Sequence, residues 1–237
     1  FDRLTQSVPG AGFAERVRMN NLAAAIYLLS QGVPFMQAGE EMLRSKPLPD
    51  GGFASNSYCS PDAVNAIKWN HLRNPQYAAA ADYYRGLIAF RKAHPTLRLT
   101  TREAVRAQVH AIEGLEPNVV GFHLRGSADD SAAAIIVLFN ANRTPTTVEL
   151  PKGRWNICIT EKTAGTETLM TVEGGVSVAP IGTCVLTLEP VTPAKPKQDP
   201  YEKKLPILLG VTAAVTAAVG SAVALLNHKR RKEKDEK

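Results

Sequence analysis

Hydrophobic positions along the chain change their period near residue 97. Before that point they recur at three and four: Val17, Met19, Leu22, Ile26 and Leu29 line one stripe. Tyr77, Ala80, Tyr84, Leu87 and Ile88 line another, which stops at His94-Pro95. Both predict amphipathic helices. Between them the apolar run Val33-Pro34-Phe35-Met36, with Gly32 before it and Gly39 after it, predicts a buried parallel strand. After residue 97 the runs shorten to strand length. Val119–Leu124, Ala134–Asn140, Thr146–Leu150, Trp155–Ile159 and Gly182–Leu188 are separated by Pro, Gly, Asn and Asp, the signature of an antiparallel sandwich. There is no internal repeat.

The C-terminal pattern is different again. Leu205–Leu226 is 22 residues without a charge, a length of roughly 33 Å as a helix, and it predicts a transmembrane span. Residues 227–237 follow with a net charge of +3, a basic stop that keeps the C-terminus cytoplasmic and the main body extracellular. Residues 190–204 hold prolines 190, 193, 196 and 200, which predict an extended linker. The expected localisation is therefore the cell membrane, in a single pass through residues 205–226.

Charge enters the picture only through its distribution. The chain carries +6, which by itself invites a polyanion partner. Residues 1–194 hold 18 basic against 17 acidic side chains, so the excess belongs to the tail. A nucleic-acid partner is not expected. Cys59, Cys158 and Cys184 match no zinc spacing. Cys158 and Cys184, both in expected strands, either pair or lie as small buried thiols. His71, His110 and His123 form no spaced cluster, and no metal or cofactor is expected.

Gln31-Gly32-Val33-Pro34-Phe35-Met36-Gln37-Ala38-Gly39-Glu40-Glu41 resembles the last barrel-strand motif of the α-amylase family of glycoside hydrolases. Asn56–Asn65 (Asn-Ser-Tyr-Cys-Ser-Pro-Asp-Ala-Val-Asn), Ile67-Lys68-Trp69, Tyr83–Ile88 and Arg91–Pro95 narrow the resemblance to type I pullulanases. Phe1-Asp2-Arg3-Leu4 is similar to the stretch that follows that family's His-Asp-Asn motif. The resemblance is specific over residues 1–100 and looser over residues 100–190.

It implies an α/β plus all-β fold class: residues 1–96 as the last part of a catalytic TIM (β/α)8 barrel, and residues 97–189 as a C-terminal antiparallel β-sandwich. It also implies retaining hydrolysis of α-1,6-glucosidic links in pullulan, starch or glycogen. That chemistry uses a nucleophilic carboxylate and a protonated carboxylic acid about 5–5.5 Å apart. By the resemblance these two, and a third Asp, lie N-terminal to Phe1, so no residue here is expected to be catalytic. The chain alone is then expected to be inactive, its helical part loosely ordered beside a better-folded sandwich.

The expected substrate-binding residues are Asp62, Asn65 and Tyr58, which offer a carboxylate, an amide and an aromatic face to a sugar ring. The resemblance matches Asp62 to a family Asp that holds a glucosyl unit near the cut; a helix N-cap after Ser60-Pro61 is the blander role for the same residue. Relatives carry a longer polar residue where Ala66 stands. Glu40 and Glu41, being adjacent, diverge and do not flank one bond; they are expected to support the loop. Trp69, Tyr84 and Trp155 are expected in the core. The competing expectation for the whole chain is a non-catalytic, membrane-anchored module that binds α-glucan or tethers a partner.

Overall fold

Strand β3, Ala134–Asn140, is buried at all seven positions. Side chains alternate across a strand, so burial at every position means that both faces of the sheet are covered. In the computed structural model, which describes residues 1–189, β3 lies inside a six-stranded antiparallel sheet of order β1-β2-β3-β8-β5-β6. Its members are β1 Val109–Ala111, β2 Val119–Arg125, β3, β5 Trp155–Ile159, β6 Met170–Val172 and β8 Gly182–Leu188. The register is continuous, with Val137 opposite Phe122 on one side and Val185 on the other. A second, two-stranded sheet pairs β4, Thr146–Glu149, with β7, Gly175–Val178.

Each face of the large sheet has its own core. Ala134, Ile136 and Leu138 of β3 pack with Trp155, Leu186, Val148, Val176 and Val178, so the small sheet covers that side. Ile135, Val137 and Phe139 pack instead with Leu28, Leu29, Tyr83, Leu87 and Phe90. These come from α2, Phe13–Leu29, and α4, Pro75–Ala93. Asn74 caps α4 by accepting from the Gln76 amide at 2.9 Å, and Pro75 fills the first helical position. Short helices α1 (Leu4–Ser7), α3 (Asp62–Asn65) and α5 (Arg102–Gln108) complete the chain order.

Specific bonds hold the helical layer to the sheet. The Tyr83 hydroxyl donates to the Thr160 carbonyl at 3.0 Å. Gly86 lies so close to the following loop that a Cβ there would stand 2.0 Å from the Ala164 carbonyl oxygen. Buried Arg91 donates to the carbonyls of Leu28 (2.9 Å), Ser30 (2.6 Å) and Gly32 (2.6 Å), closing the end of α2. Beyond α4, the Asp130 carboxylate accepts from His94 Nδ1 at 2.7 Å, from the Thr96 amide at 3.1 Å and from the Ala132 amide at 3.0 Å. That carboxylate is fully buried in the turn between β2 and β3. Burial alone would raise it, but the bonds from His94, Ala132 and Thr96 outweigh that effect and hold it at about 2.

This architecture corrects several expectations. The described residues form a β-rich domain and contain no TIM-barrel segment. Val33–Met36 is not a strand: it pairs with no neighbour, and Val33 and Phe35 are 97% and 93% exposed. An isolated run cannot satisfy its backbone as a barrel strand without strands on either side. The helices expected to complete a barrel cover the β-sheet instead. The transmembrane helix expected over 205–226 gains no support; it lies outside the described residues, as do the linker 190–204 and the tail 227–237. Among the described residues no helix is long and apolar enough to cross a membrane.

Cys158 and Cys184 do not pair. A register shift at Cys158 turns it, with Ile159, toward the helical layer, while Cys184 packs on the opposite face. Burial pushes the Cys184 thiol up to about 12.

Because the Asp130 carboxyl titrates near 2, below its ordinary 3.8, its contribution is complete above about pH 4 and disappears as the pH falls toward 2. Asp130→Ala should lower stability in urea by about 3 kcal/mol at pH 7. The difference between variant and parent should shrink between pH 4 and pH 2.

Candidate functional site

The residues between α2 and α4 form a series of turns pinned by one arginine. Gly39 adopts φ +95°, and a Cβ there would come within 2.6 Å of Arg44 Cδ, so this position requires glycine on both counts. The turn doubles back through Glu40–Met42 and brings the Arg44 guanidinium over it. Nη1 donates to the Ala38 carbonyl at 3.0 Å, and Nη2 donates to the carbonyl of Asn65. One side chain therefore ties the 38–44 turn to the end of α3.

Asn65 continues the chain of contacts. Its amide Nδ2 donates to the Ser60 carbonyl at 3.0 Å and to the Ser57 carbonyl. Lys46 Nζ donates to Ser57 Oγ at 2.6 Å. The loop 57–60 is thus held from both sides, and Tyr58 projects from it with 85% exposure. Asp62 occupies the first turn of α3 and is exposed; the N-cap is Pro61, whose carbonyl accepts from Val64 and Asn65. The N-cap role for Asp62 is not what the structure contains.

The three expected binding residues therefore share one pinned segment but differ in availability. Tyr58 and Asp62 face solvent. The Asn65 amide group is spent on the loop itself, which makes this residue a support for Tyr58. Beside the segment, Asp2, Arg44, Ser45, Lys68, His71 and Tyr77 line a cleft of about 100 Å³. Behind it, the rings of His71 and Tyr77 meet edge to face at 4.9 Å, and Phe13 lies 5.8 Å from Tyr77.

Glu40 and Glu41 are each engaged locally. Glu40 accepts from the Tyr27 hydroxyl and from the Gln37 amide, and Glu41 accepts from the Gly39 amide at 2.9 Å. Burial, reinforced by the bond to Glu40, raises Tyr27, and burial raises Tyr84, whose hydroxyl accepts from Asn20 Nδ2 at 3.0 Å. This polar relay fixes the turn to α2 and α4.

Trp69 departs from expectation: it is 66% exposed, on the 3-10 turn Trp69–Arg73, whereas Trp155 is fully buried with Nε1 donating to the Pro151 carbonyl at 2.9 Å. Sequence reasoning also missed Arg44, Lys68 and His71 in the cleft. An arginine five residues after a glycine in a polar loop carries no pattern that marks a pinning role. Among the described residues, no three His, Cys, Asp or Glu side chains gather closely enough to hold a metal ion.

Comparison with known proteins narrows what this arrangement belongs to. Residues 105–163, from within α5 into the loop after β5, match the family "Pullulanase, all-beta domain". The chain is 29% identical over 189 residues to the pullulanase of Bacillus subtilis strain 168, covering 79% of this chain and 25% of that one. Among solved structures, the pullulanase from Bacillus acidopullulyticus superposes with a TM-score of 0.72 at 37% identity, covering 78% of this chain and 22% of that one. A mutant pullulanase from Paenibacillus barengoltzii, complexed with maltotetraose, superposes with a TM-score of 0.65 at 35% identity, covering 80% and 28%. The chain thus spans about a quarter of the length of these relatives.

These likenesses link the chain to the debranching glycoside hydrolases. Within that class its relatives over four-fifths of its length are pullulanases, and the match, all-beta domain included, is consistent with a C-terminal pullulanase fragment.

If Asn65 holds the 57–60 loop, Asn65→Ala should cost about 1–2 kcal/mol and speed amide exchange at Ser60 and its neighbours. Exchange in β3 and β8, which requires the whole domain to open, should speed by no more than that same loss of stability, measured residue by residue by NMR.

Proposed function

We propose that this chain works as the glucan-contacting part of a debranching glycoside hydrolase that cleaves α-1,6-glucosidic links in pullulan, starch or glycogen. The observation that carries this reading is the pinned 57–65 segment, which presents Tyr58 and Asp62 to solvent. Relatives in solved structures support the ligand class: one is complexed with maltose, others with maltotetraose. An aromatic face suits the apolar side of a pyranose, and a carboxylate accepts from two vicinal hydroxyls.

In this reading the chain binds and the cleaving carboxylates come from outside it. Retaining hydrolysis requires one carboxyl kept protonated near neutral pH and a second about 5–5.5 Å away as nucleophile. Asp130, the buried carboxyl, is held in the opposite direction and is filled by His94, Thr96 and Ala132. Glu40 and Glu41 serve the turn. The 237-residue chain therefore belongs to the reaction as a recognition and support element.

Two measurements test this. Asp62→Ala and Tyr58→Ala should each weaken maltotriose binding by about tenfold, roughly the worth of one or two hydrogen bonds or a ring contact, with the circular dichroism melt unchanged. The unmodified chain should release no reducing sugar from pullulan; measurable turnover contradicts the division of labour.

A further inference from the structure

A groove of about 320 Å³ runs between the N-terminal halves of α2 and α4, and it contains neither Tyr58 nor Asp62 in its lining. Its volume falls at the lower end of the roughly 300–1,000 Å³ typical of small-molecule sites. Phe13, Val17, Ala79 and Ala80 give it an apolar floor. Arg18, Asn21, Gln76, Glu161 and Lys162 supply its polar edges.

Two of those polar groups are incomplete. Asn21 is only 7% exposed and its Oδ1 has no hydrogen-bond partner; Arg18 Nε is buried and also has none. The two residues stand three apart on α2, hence on the same face, and both line this groove. A buried polar atom without a partner is uncommon in folded proteins and calls for a physical reason. Neither atom is open to the groove as the side chains stand; a ligand there that brings a donor for Asn21 Oδ1 and an acceptor for Arg18 Nε would complete both once the two side chains turn toward it.

The opposite wall is rigidly placed. Glu161 and Lys162 sit on the loop after β5, whose Thr160 carbonyl accepts from Tyr83 at 3.0 Å and whose Ala164 rests on Gly86. Thr160 Oγ1 accepts from the amides of Lys162 (3.3 Å) and Thr163 (3.2 Å), fixing the turn that carries both charges. Glu161 and Lys162 lie 3.8 Å apart and offset one another, so the wall carries mixed sign and favours an uncharged ligand.

We propose that this groove is a second carbohydrate contact, taking one glucosyl ring with its apolar face on Phe13 and Val17 and its hydroxyl edge toward Arg18, Asn21 and Gln76. A pyranose hydroxyl both donates and accepts, which is what the two incomplete groups require together. The identity of the sugar rests on the glucan reading above; the place of binding rests on the groove alone.

The test titrates the full chain with maltotriose, by calorimetry and by NMR of the side-chain amides. Binding at the groove should shift the Asn21 amide resonance. Ala79, exposed on α4, is a position where Ala79→Phe fills the groove and removes no hydrogen bond. That variant should lose the Asn21 shift and weaken this class of site by about tenfold or more, while Tyr58→Ala leaves it intact. An Ala79→Phe protein that binds as the parent does, or an Asn21 resonance that stays still at saturation, overturns the proposal. Binding that depends on Tyr58 and not on Ala79 overturns the groove and spares the first site. The reverse spares the groove and removes the first site. No binding at millimolar maltotriose removes both.

Discussion

A strand buried on both faces cannot stand unless something covers each face, and β3 imposes that requirement on the whole domain. Six of its seven buried residues, Ala134 to Phe139, alternate between two cores. One core is closed by a two-stranded sheet that is small but apolar on its inner side. The other is closed by α2 and α4. Uncovered, that second face would expose Ile135, Val137 and Phe139 together with Val185 and Ile159, an apolar area that a monomeric domain does not leave in water. The helices are therefore part of the β-domain's own core.

The polar contacts follow from this arrangement. Arg91 closes the α2 terminus, Tyr83 reaches the loop after β5, and the His94–Asp130 contact clamps the end of α4 to the turn between β2 and β3. Each satisfies a group that packing alone would leave buried and unpaired. Arg91 fixes where α2 ends and the Asn74 cap where α4 begins, and hence the span across which residues 30–74 must fold. The Arg44–Asn65–Ser57 chain of bonds converts that span into a presenting surface for Tyr58 and Asp62, so the candidate site inherits its rigidity from the sheet.

Much of this was legible in the residues. The runs 119–124, 134–140, 146–150, 155–159 and 182–188 became β2, β3, β4, β5 and β8 with near-identical limits, because apolar runs between turn residues have few other solutions. The two helical stripes became α2 and α4. What was not legible depended on partners. Val33–Met36 has the composition of a buried strand, but strand formation needs neighbours to pair with, and composition does not supply them. Whether Trp69 is buried depends on which element packs over it, which its local period cannot reveal. Cys158 and Cys184 were candidates for pairing until the register shift at Cys158 turned one thiol away from the other. Asp130 lay in a Gly-Ser-Ala-Asp-Asp-Ser turn, where an acidic residue normally faces water. Nothing local told that it accepts three bonds in the interior.

In the candidate site, Tyr58 and Asp62 were chosen for their chemistry and their place in a resembling motif, and both face solvent. Asn65 was chosen on the same grounds, yet its amide serves the fold. The groove between α2 and α4 was invisible for a different reason. Its lining combines residues 13–21, 76–80 and 161–162, which only the tertiary packing brings together.

The central claim is that helices and sheet form one cooperative unit within residues 1–189, and native-state hydrogen exchange followed by mass spectrometry tests it most directly. Amides in α2 and α4 should exchange at rates close to those in β3 and β8 and should lose protection at the same denaturant concentration. Exchange in both helices that is orders of magnitude faster than in β3 and β8 would contradict it.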